Sequence, residues 1–371
     1  MPKDTPEWEW ILCESPSLSN PFAPLKKLGT LDSAKNRSWT PQYNRAGACG
    51  FQIRTKDPLA GAIMDKVDLG DIRGTVKKCV RLRRNGIDMW SGQIWGIDGT
   101  LSGGTLTISC VGWLETLQKR ILWQTADYSN GGNGLPTDQI IFGVMNLVDS
   151  QNAYHPLLIK PGSVTGGMPI RNRYYTLGTS LGPTIQELSD IEAGVNYSVD
   201  PVTRALNLSS WDSYTDHKDI VLGYGWGPNN LQDVTWQEDA SKTCNYMGIS
   251  TSLGSAPVYV DDPYSQDQYN LFEENNQLTG ANENVLVPYG VAELVIRSRP
   301  LLTYSLKPHP RTGTTGPSLF DDFQIGDQIY FSAVKDYVKI KKQAVRVFGA
   351  TVNIDDVGNE TISTLQTSPS A

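Results

Sequence analysis

The chain has 371 residues, of which 39% are hydrophobic and 19% charged, with 35 glycines and 22 prolines. This is apolar enough for packed cores, too polar for a membrane-spanning bundle, and unlike a disordered or coiled-coil composition. A formal net charge of −7 and a pI near 5.1 disfavour a general nucleic-acid binder.

The first residues, Met1 to Trp8, lack the basic leader and apolar stretch of a secretory signal. The longest apolar run, Ile140 to Val148, is broken by Gly143 and Asn146 and is far short of the roughly 20 residues that span a bilayer. No membrane anchor is expected. The five cysteines, Cys13, Cys49, Cys79, Cys110 and Cys244, form no CxxC pair. A reducing compartment fits them better than a disulfide framework.

Strand signals dominate the first third. Phe51 to Arg54 alternates, and so does Val80-Arg81-Leu82-Arg83. Asn85-Gly86 follows at once and predicts a tight hairpin. The return strand runs from Met89 to Ile97, a turn spans Asp98 to Gly104, and Leu106 to Ser109 alternates again. In the middle third, apolar spacing predicts a helix from Gly112 to Trp123, a second capped by Thr137, and a third opened by a Thr184/Glu187 capping box. Strands at Asn196–Val199 and Ala205–Leu208 complete an α/β unit over 118–210. The last third returns to strands, after a polar stretch from Ser255 to Gly290 that reads as a long loop.

The chain also repeats itself. Leu69-Gly70-Asp71 recurs 256 residues later as Ile325-Gly326-Asp327. Around it, Phe51-x-Ile53 matches Tyr304-x-Leu306, and Val80 to Arg83 matches Val338-Lys339-Ile340-Lys341. Trp90-Ser91-Gly92 with Ile97-Asp98 matches Val347-Phe348-Gly349 with Ile354-Asp355. Thr107-Ile108-Ser109 matches Thr361-Ile362-Ser363. The order is preserved throughout, which predicts two related small β-barrels separated by other material.

The run Trp90-Ser91-Gly92-Gln93-Ile94-Trp95, followed by Thr107-Ile108-Ser109-Cys110-Val111-Gly112-Trp113-Leu114, resembles the minor tail hub proteins of long-tailed actinobacteriophages. The segment from Thr235-Trp236 to Cys244-Asn245-Tyr246-Met247-Gly248 is similar to a later stretch of the same family. The resemblance implies the baseplate-hub, or tail-associated, architecture. That is a β-rich α+β chain with two homologous small β-barrels and α/β inserts, assembled as a homotrimer whose six barrels make a pseudo-hexameric ring. The implied boundaries are an N-terminal barrel over 1–117, the α/β insert over 118–210, a second β-rich insert with a long acidic loop over 211–299, and a C-terminal barrel over 300–371. The implied role is structural. The ring would join the six-fold tail tube to the three-fold tip and let DNA pass. Its implied partners are the distal tail ring protein, the tape measure protein, and fibre, lysin or receptor-binding tail proteins. Its place is the virion tail tip, after synthesis in the bacterial host cytoplasm.

Gly178-Thr179-Ser180-Leu181-Gly182 matches G-x-S-x-G, but Pro183-Thr184 delays the helix that a nucleophile elbow needs directly after its serine. The three histidines, His155, His217 and His309, are far apart and show no zinc-binding spacing. Asp212, Asp216 and Asp219 lack an EF-hand glycine and terminal glutamate. The ten tryptophans suggest core more than a sugar cleft. Basic residues in Lys77-Lys78, Arg81, Arg83-Arg84 and in Lys335, Lys339, Lys341-Lys342, Arg346 read as solvated or subunit-facing strand faces. No catalytic residue, cofactor or metal is expected. A tail-tip cell-wall hydrolase and a carbohydrate receptor-binding module are the alternatives.

One charge asymmetry stands out. From Thr243 to Ile296 there is no Lys or Arg, while seven carboxylates give the segment −7, equal to the net charge of the chain. A negative wall repels phosphates over about 8 Å at physiological salt. Asp261, Asp262, Asp267, Glu273 and Glu274 are therefore the candidates to line a DNA channel. Gly70, Asp71, Gly326 and Asp327 are the expected turn positions of the repeat.

Overall fold

The structure is a computed structural model. It describes residues 6–369 apart from 18, 65–77, 101, 152–155, 191–193, 226, 252–255, 279–285 and 310–316. Gly70 and Asp71 lie outside the described residues, so the first repeat turn cannot be laid on the second.

The first half opens with strands β1 (Trp8–Glu14), β2 (Lys26–Thr30), β3 (Lys35–Thr40) and β4 (Ala48–Arg54). A short helix α1 (Pro58–Met64) precedes β5 (Lys78–Arg84), β6 (Ile87–Thr100) and β7 (Thr105–Gly112). The Asn85-Gly86 hairpin forms as the dipeptide dictates. Both residues have positive φ, 50° and 78°, the combination whose twist matches paired strands. Gly92 and Gly112 face each other across β6 and β7. A Cβ on Gly92 would lie 2.2 Å from the Val111 carbonyl oxygen, and one on Gly112 would lie 1.8 Å from that of Ala46. These contacts explain why the W-S-G motif needs its glycine.

The α/β unit holds helices α2 (Leu114–Gln118), α3 (Thr137–Ser150) and α4 (Leu181–Asp190). Between them run the short strands β8 (Ala126–Asp127), β9 (Leu135–Pro136), β10 (Lys160–Thr165), β11 (Ile170–Arg171) and β12 (Tyr174–Tyr175), and after them β13 (Val195–Val199) and β14 (Ala205–Ser210). Three helix expectations need correction. α2 stops at Gln118, because the chain straightens to place Ile121 opposite Ser180 in a β-bridge. Thr137 does not cap α3; its hydroxyl donates to the Pro169 carbonyl at 2.8 Å. Thr184 sits inside α4 and donates back to Ser180 O at 2.9 Å, while Glu187 pairs with Arg173 at 2.9 Å. Pro183 falls in the first turn of α4, where its missing N–H costs nothing. The unit has its own core, built on Ile140, Val144, Leu181 and Leu206, which reaches Ile11, Cys13 and Cys79 of the large sheet.

The second half of the large sheet contains β15 (Asp216–Tyr224) and β16 (Leu231–Asp239). A small insert follows, with β17 (Tyr246–Ser250), β18 (Val258–Asp261), α5 (Pro263–Tyr269), β19 (Glu273–Gln277) and α6 (Leu286–Arg297). The chain then returns through β20 (Leu301–Pro308), β21 (Gln328–Lys335), β22 (Val338–Ile354) and β23 (Glu360–Pro369). The stretch expected as a long loop is therefore folded: it supplies β18, α5, β19 and the start of α6. β15 and β16, placed with the insert on sequence grounds, pair with β21 and β20.

The repeat is visible in the pairing. β4 pairs β7, β7 pairs β6 and β6 pairs β5; in the second half β20 pairs β23, β23 pairs β22 and β22 pairs β21. One expected match is displaced by a strand. The counterpart of β5 is β21, so Val338 to Lys341 begins the counterpart of β6. Alternating basic residues on both segments made them look equivalent. The closed barrels are also not found. Among the described residues the strands of both halves join in one open 13-stranded sheet, beside four small sheets, and in it the long strand β22 pairs with β21, β23 and β3. One apolar cluster runs through both halves, from Trp10, Phe51 and Ile94 to Phe331, Val347 and Leu365.

The sheet also brings cysteines together that are remote in sequence. Cys13 faces Cys79 across β1 and β5, and Cys49 faces Cys110 across β4 and β7. All five thiols are free and buried. Burial pushes the Cys49 and Cys79 thiols up, away from the reactive thiolate. Because all five are buried, a thiol reagent is expected to modify none of them in the native chain over minutes and all five in guanidinium. Rapid native labelling of two or more would contradict this packing.

Candidate functional surfaces

The serine motif and the described histidines, His217 and His309, do not converge. Ser180 bridges Ile121 at the edge of α4. His217, at the start of β15, lies 3.0 Å from Asp327 through Nε2. Asp327 in turn accepts the Thr215 and Gln324 amides at 3.2 and 2.8 Å. The Gly326-Asp327 turn is thus a clasp that holds β15 against β21, with Gly326 at φ 102°. His155 and Trp226 lie outside the described residues. Among those described, no three His, Cys, Asp or Glu side chains gather as a metal site. Trp8, Trp10, Trp39, Trp90 and Trp113 are core residues, whereas Trp95, Trp123, Trp211 and Trp236 are at least 40% exposed.

The acidic segment is built around β17. β18 runs antiparallel on one side of it and β19 parallel on the other. Leu286, Gly290 and Leu294 repeat every four residues on α6 and are buried, with Met247, Ile249 and Val260 forming the facing core. Val260 is buried beneath the helix, so its strand neighbours Tyr259 and Asp261 point to the opposite, open face. Tyr246 is in register with both Asp261 and Glu273. These two exposed carboxylates therefore flank one tyrosine, which packs on Tyr259 at 5.6 Å.

The other candidates play different parts. Asp262 caps α5: its side chain accepts the Ser265 amide at 3.1 Å, and that bond holds the carboxyl below the usual range. Glu274 is clamped by Arg297 in a two-point ion pair. Asp267 is exposed on α5. Asn245, buried and bonded to Ser265, Asn270 and Phe272, ties β17, α5 and β19 together. In sequence it offered only a place in a motif. Its role as a three-way tie depends on neighbours up to 27 residues away.

The two basic strands differ in the same way. On β5, Lys78 meets Glu14 at 3.9 Å, Arg81 meets Asp88 at 3.1 Å, and Arg83 meets Glu9 at 3.0 Å. Arg84 is buried and grips Asp321 at 2.7 Å and Glu360 at 2.9 Å, which joins the two halves of the sheet. Burial opposes its charge, but the two carboxylates outweigh burial and raise its hold on the proton. On the β21–β22 hairpin, Lys335, Lys339, Lys341 and Lys342 are exposed, and among the described residues none forms an ion pair. Lys342 lies 5.2 Å from the Tyr330 ring.

No family model and no curated protein sequence matches the chain. Solved structures match it almost end to end. A tail protein from Neisseria meningitidis MC58 superposes with a TM-score of 0.59 at 12% identity, covering 97% of this chain and 96% of that one. The 43 kDa tail protein of prophage MuSo2 from Shewanella oneidensis gives 0.58 at 13% identity, over 96% and 98%. Prophage tail protein gp18 from Listeria monocytogenes EGD-e gives 0.55 at 9% identity, over 98% and 95%. The chain has the fold of these phage-type tail proteins.

Proposed function

We propose that the chain is a structural, non-enzymatic component of a phage tail, a hub-type minor tail protein that closes as a homotrimer between the six-fold tube and the three-fold tip. The observation that carries this reading is the repeated strand order, β4-β7-β6-β5 and β20-β23-β22-β21, within one sheet. Three chains with two equivalent halves present six similar units in a ring, so one molecule can meet a six-fold neighbour on one side and a three-fold neighbour on the other. The end-to-end likeness to tail proteins supports the same reading. Its partners are then the distal tail ring and tape measure proteins above, and fibre, lysin or receptor-binding proteins below. The tail tip of the virion is its place. The hub family of the actinobacteriophages remains the specific version of this proposal.

In this reading the open face of the insert sheet looks toward the channel. Asp261 and Glu273 line it and Asp267 is exposed on α5, while Asp262 and Glu274 are occupied with capping and pairing. The test is charge reversal of the three free carboxylates: Asp261→Lys, Asp267→Lys and Glu273→Lys. Virions carrying them are expected to assemble normally and to eject DNA several-fold more slowly at low salt, with the difference shrinking as salt screens the wall. Unchanged ejection kinetics at low salt would place this face away from the DNA. Tail tips without three-fold symmetry in electron micrographs would overturn the ring itself.

A further inference from the structure

The seam between the two halves of the large sheet has a counterpart that stands open. β3 pairs β4 as β16 pairs β20, so β3 and β16 are the outer strands of equivalent halves. β22 closes the outer edge of β3: Ile354, Asn353 and Val352 pair antiparallel with Arg37, Ser38 and Trp39, and Gly349 bridges Gln42. β16 ends the sheet, and among the described residues no strand pairs its outer edge.

β6 holds in the first half the place of β22 in the second. β22 pairs β21 through residues 338–346 and then, on the same edge, takes β3 through 352–354, while β23 fills its other edge. β6 pairs β5 only as far as Gln93. Residues 94–99 then have β7 on one edge and no described strand on the other. The tryptophans of the two outer strands differ to match. Trp39 faces Cys49 and Trp236 faces Tyr304, both core residues, so both indoles stand on the core side of the sheet. Trp39 is 2% exposed, with Phe320 of the second half stacked on it, whereas Trp236 is 55% exposed.

We propose that residues 94–99 of β6 in one copy pair antiparallel with the outer edge of β16 in a second copy, repeating between chains the joint that β22 and β3 make within one. The repeat itself names the occupant. In a ring of equivalent halves every outer strand meets the same part of the next half, and the half that follows β16 is the first half of another chain. Main-chain pairing along an open edge supplies the attraction. Charge does not select the joint: Asp98 lies on one strand and Asp233, Glu238 and Asp239 on the other, so it is expected to tighten as salt screens them. The two edges are different patches, so the contact is heterologous, and repeated by rotation it closes a ring. This inference rests on the ring reading above and names the joint that closes it.

The test places cysteines at two exposed positions of the full chain, Thr235→Cys on β16 and Asp98→Cys on β6, where surface substitutions leave the fold intact. The five native thiols are buried and stay out of the reaction. A flexible bismaleimide, which reaches across neighbouring register positions, is added at physiological salt. The double variant is expected to give covalent dimers and trimers on a denaturing gel, roughly tenfold or more above either single variant, because the joint holds the two new thiols together. Rings in sedimentation velocity whose double variant cross-links no better than the single variants would overturn the pairing alone. Efficient cross-linking of either single variant would overturn it too, since like edges would then be meeting. A wild-type chain that is monomeric at every concentration would overturn the ring reading and this joint with it.

Discussion

Replacing Arg84 with methionine is expected to cost about 3–5 kcal/mol of unfolding free energy, the scale for removing one member of a buried ion pair. The side chains of Arg84 and Glu360 are 5% and 2% exposed, so neither has water to fall back on. Methionine approximates the length of the arginine stem and leaves Glu360 charged, buried, and bonded to the Trp8 indole at 3.3 Å. The loss is therefore electrostatic rather than a packing defect. Urea unfolding would measure it as a fall in the midpoint. The double variant Arg84→Met with Glu360→Gln is expected to recover most of the loss, because the stranded charge is gone. A single variant as stable as the wild type would mean that water or another cation reaches Glu360. The consequence reaches beyond stability. Asp321 and Glu360 belong to the second half of the sheet and Arg84 to the first, and Phe320 stacks on Trp39 of the first half at 5.2 Å. Loss of the clamp therefore loosens the seam.

Trp113→Ala is expected to cost a similar amount, about 3–5 kcal/mol for a buried tryptophan. Trp113 is 1% exposed and stands where β7 runs into α2. Its indole N–H donates to Ser91 Oγ at 2.8 Å, and the Ser91 hydroxyl donates to the Pro201 carbonyl at 2.7 Å. The guanidinium of the fully buried Arg204 lies 5.4 Å from its ring and donates to the carbonyls of Leu158, Pro21 and Ala23. One side chain thus joins the large sheet to the α/β unit. Trp113→Phe keeps most of the volume and loses the hydrogen bond and part of the indole packing, so a smaller loss of about 1–3 kcal/mol is expected. Equal losses in the two variants would show that the bond to Ser91, and not the packing, holds the joint.

Local chemistry was legible where it decides structure locally. Asn85-Gly86 needs nothing beyond its own two residues to turn, and Asn196–Val199 and Ala205–Leu208 alternate as the strands they form. The repeat could be read because turn glycines and alternation survive in both copies. It slipped by one strand at Val338, because basic residues alternate on β5 and at the start of β22 alike, and only pairing tells them apart. Glu273 to Gln277 looked like loop because a polar edge strand has no apolar face to show; its partner β17 makes it a strand. Thr137 and Thr184 looked like caps, but the Thr137 hydroxyl found the Pro169 carbonyl across the fold and the Thr184 hydroxyl bonded back to Ser180, four residues earlier. The acidic candidates were visible as charge and indistinguishable as roles. Arg297, just past the segment, takes Glu274, and a helix start takes Asp262. The first has no local signal, whereas Asp262-Pro263 is a helix-start pair that was legible in the sequence.

The seam also bears on how the chain is made. β3 receives its outer neighbour only when Val352, Asn353 and Ile354 arrive, and Arg84 waits for Glu360. At ribosomal speed that delay is on the order of tens of seconds. During synthesis the first half carries an unpaired strand edge and an unmatched arginine, the state in which β-rich chains associate wrongly. The last strands therefore act as a release step. A nascent copy cannot complete its sheet until the chain has been translated through Glu360.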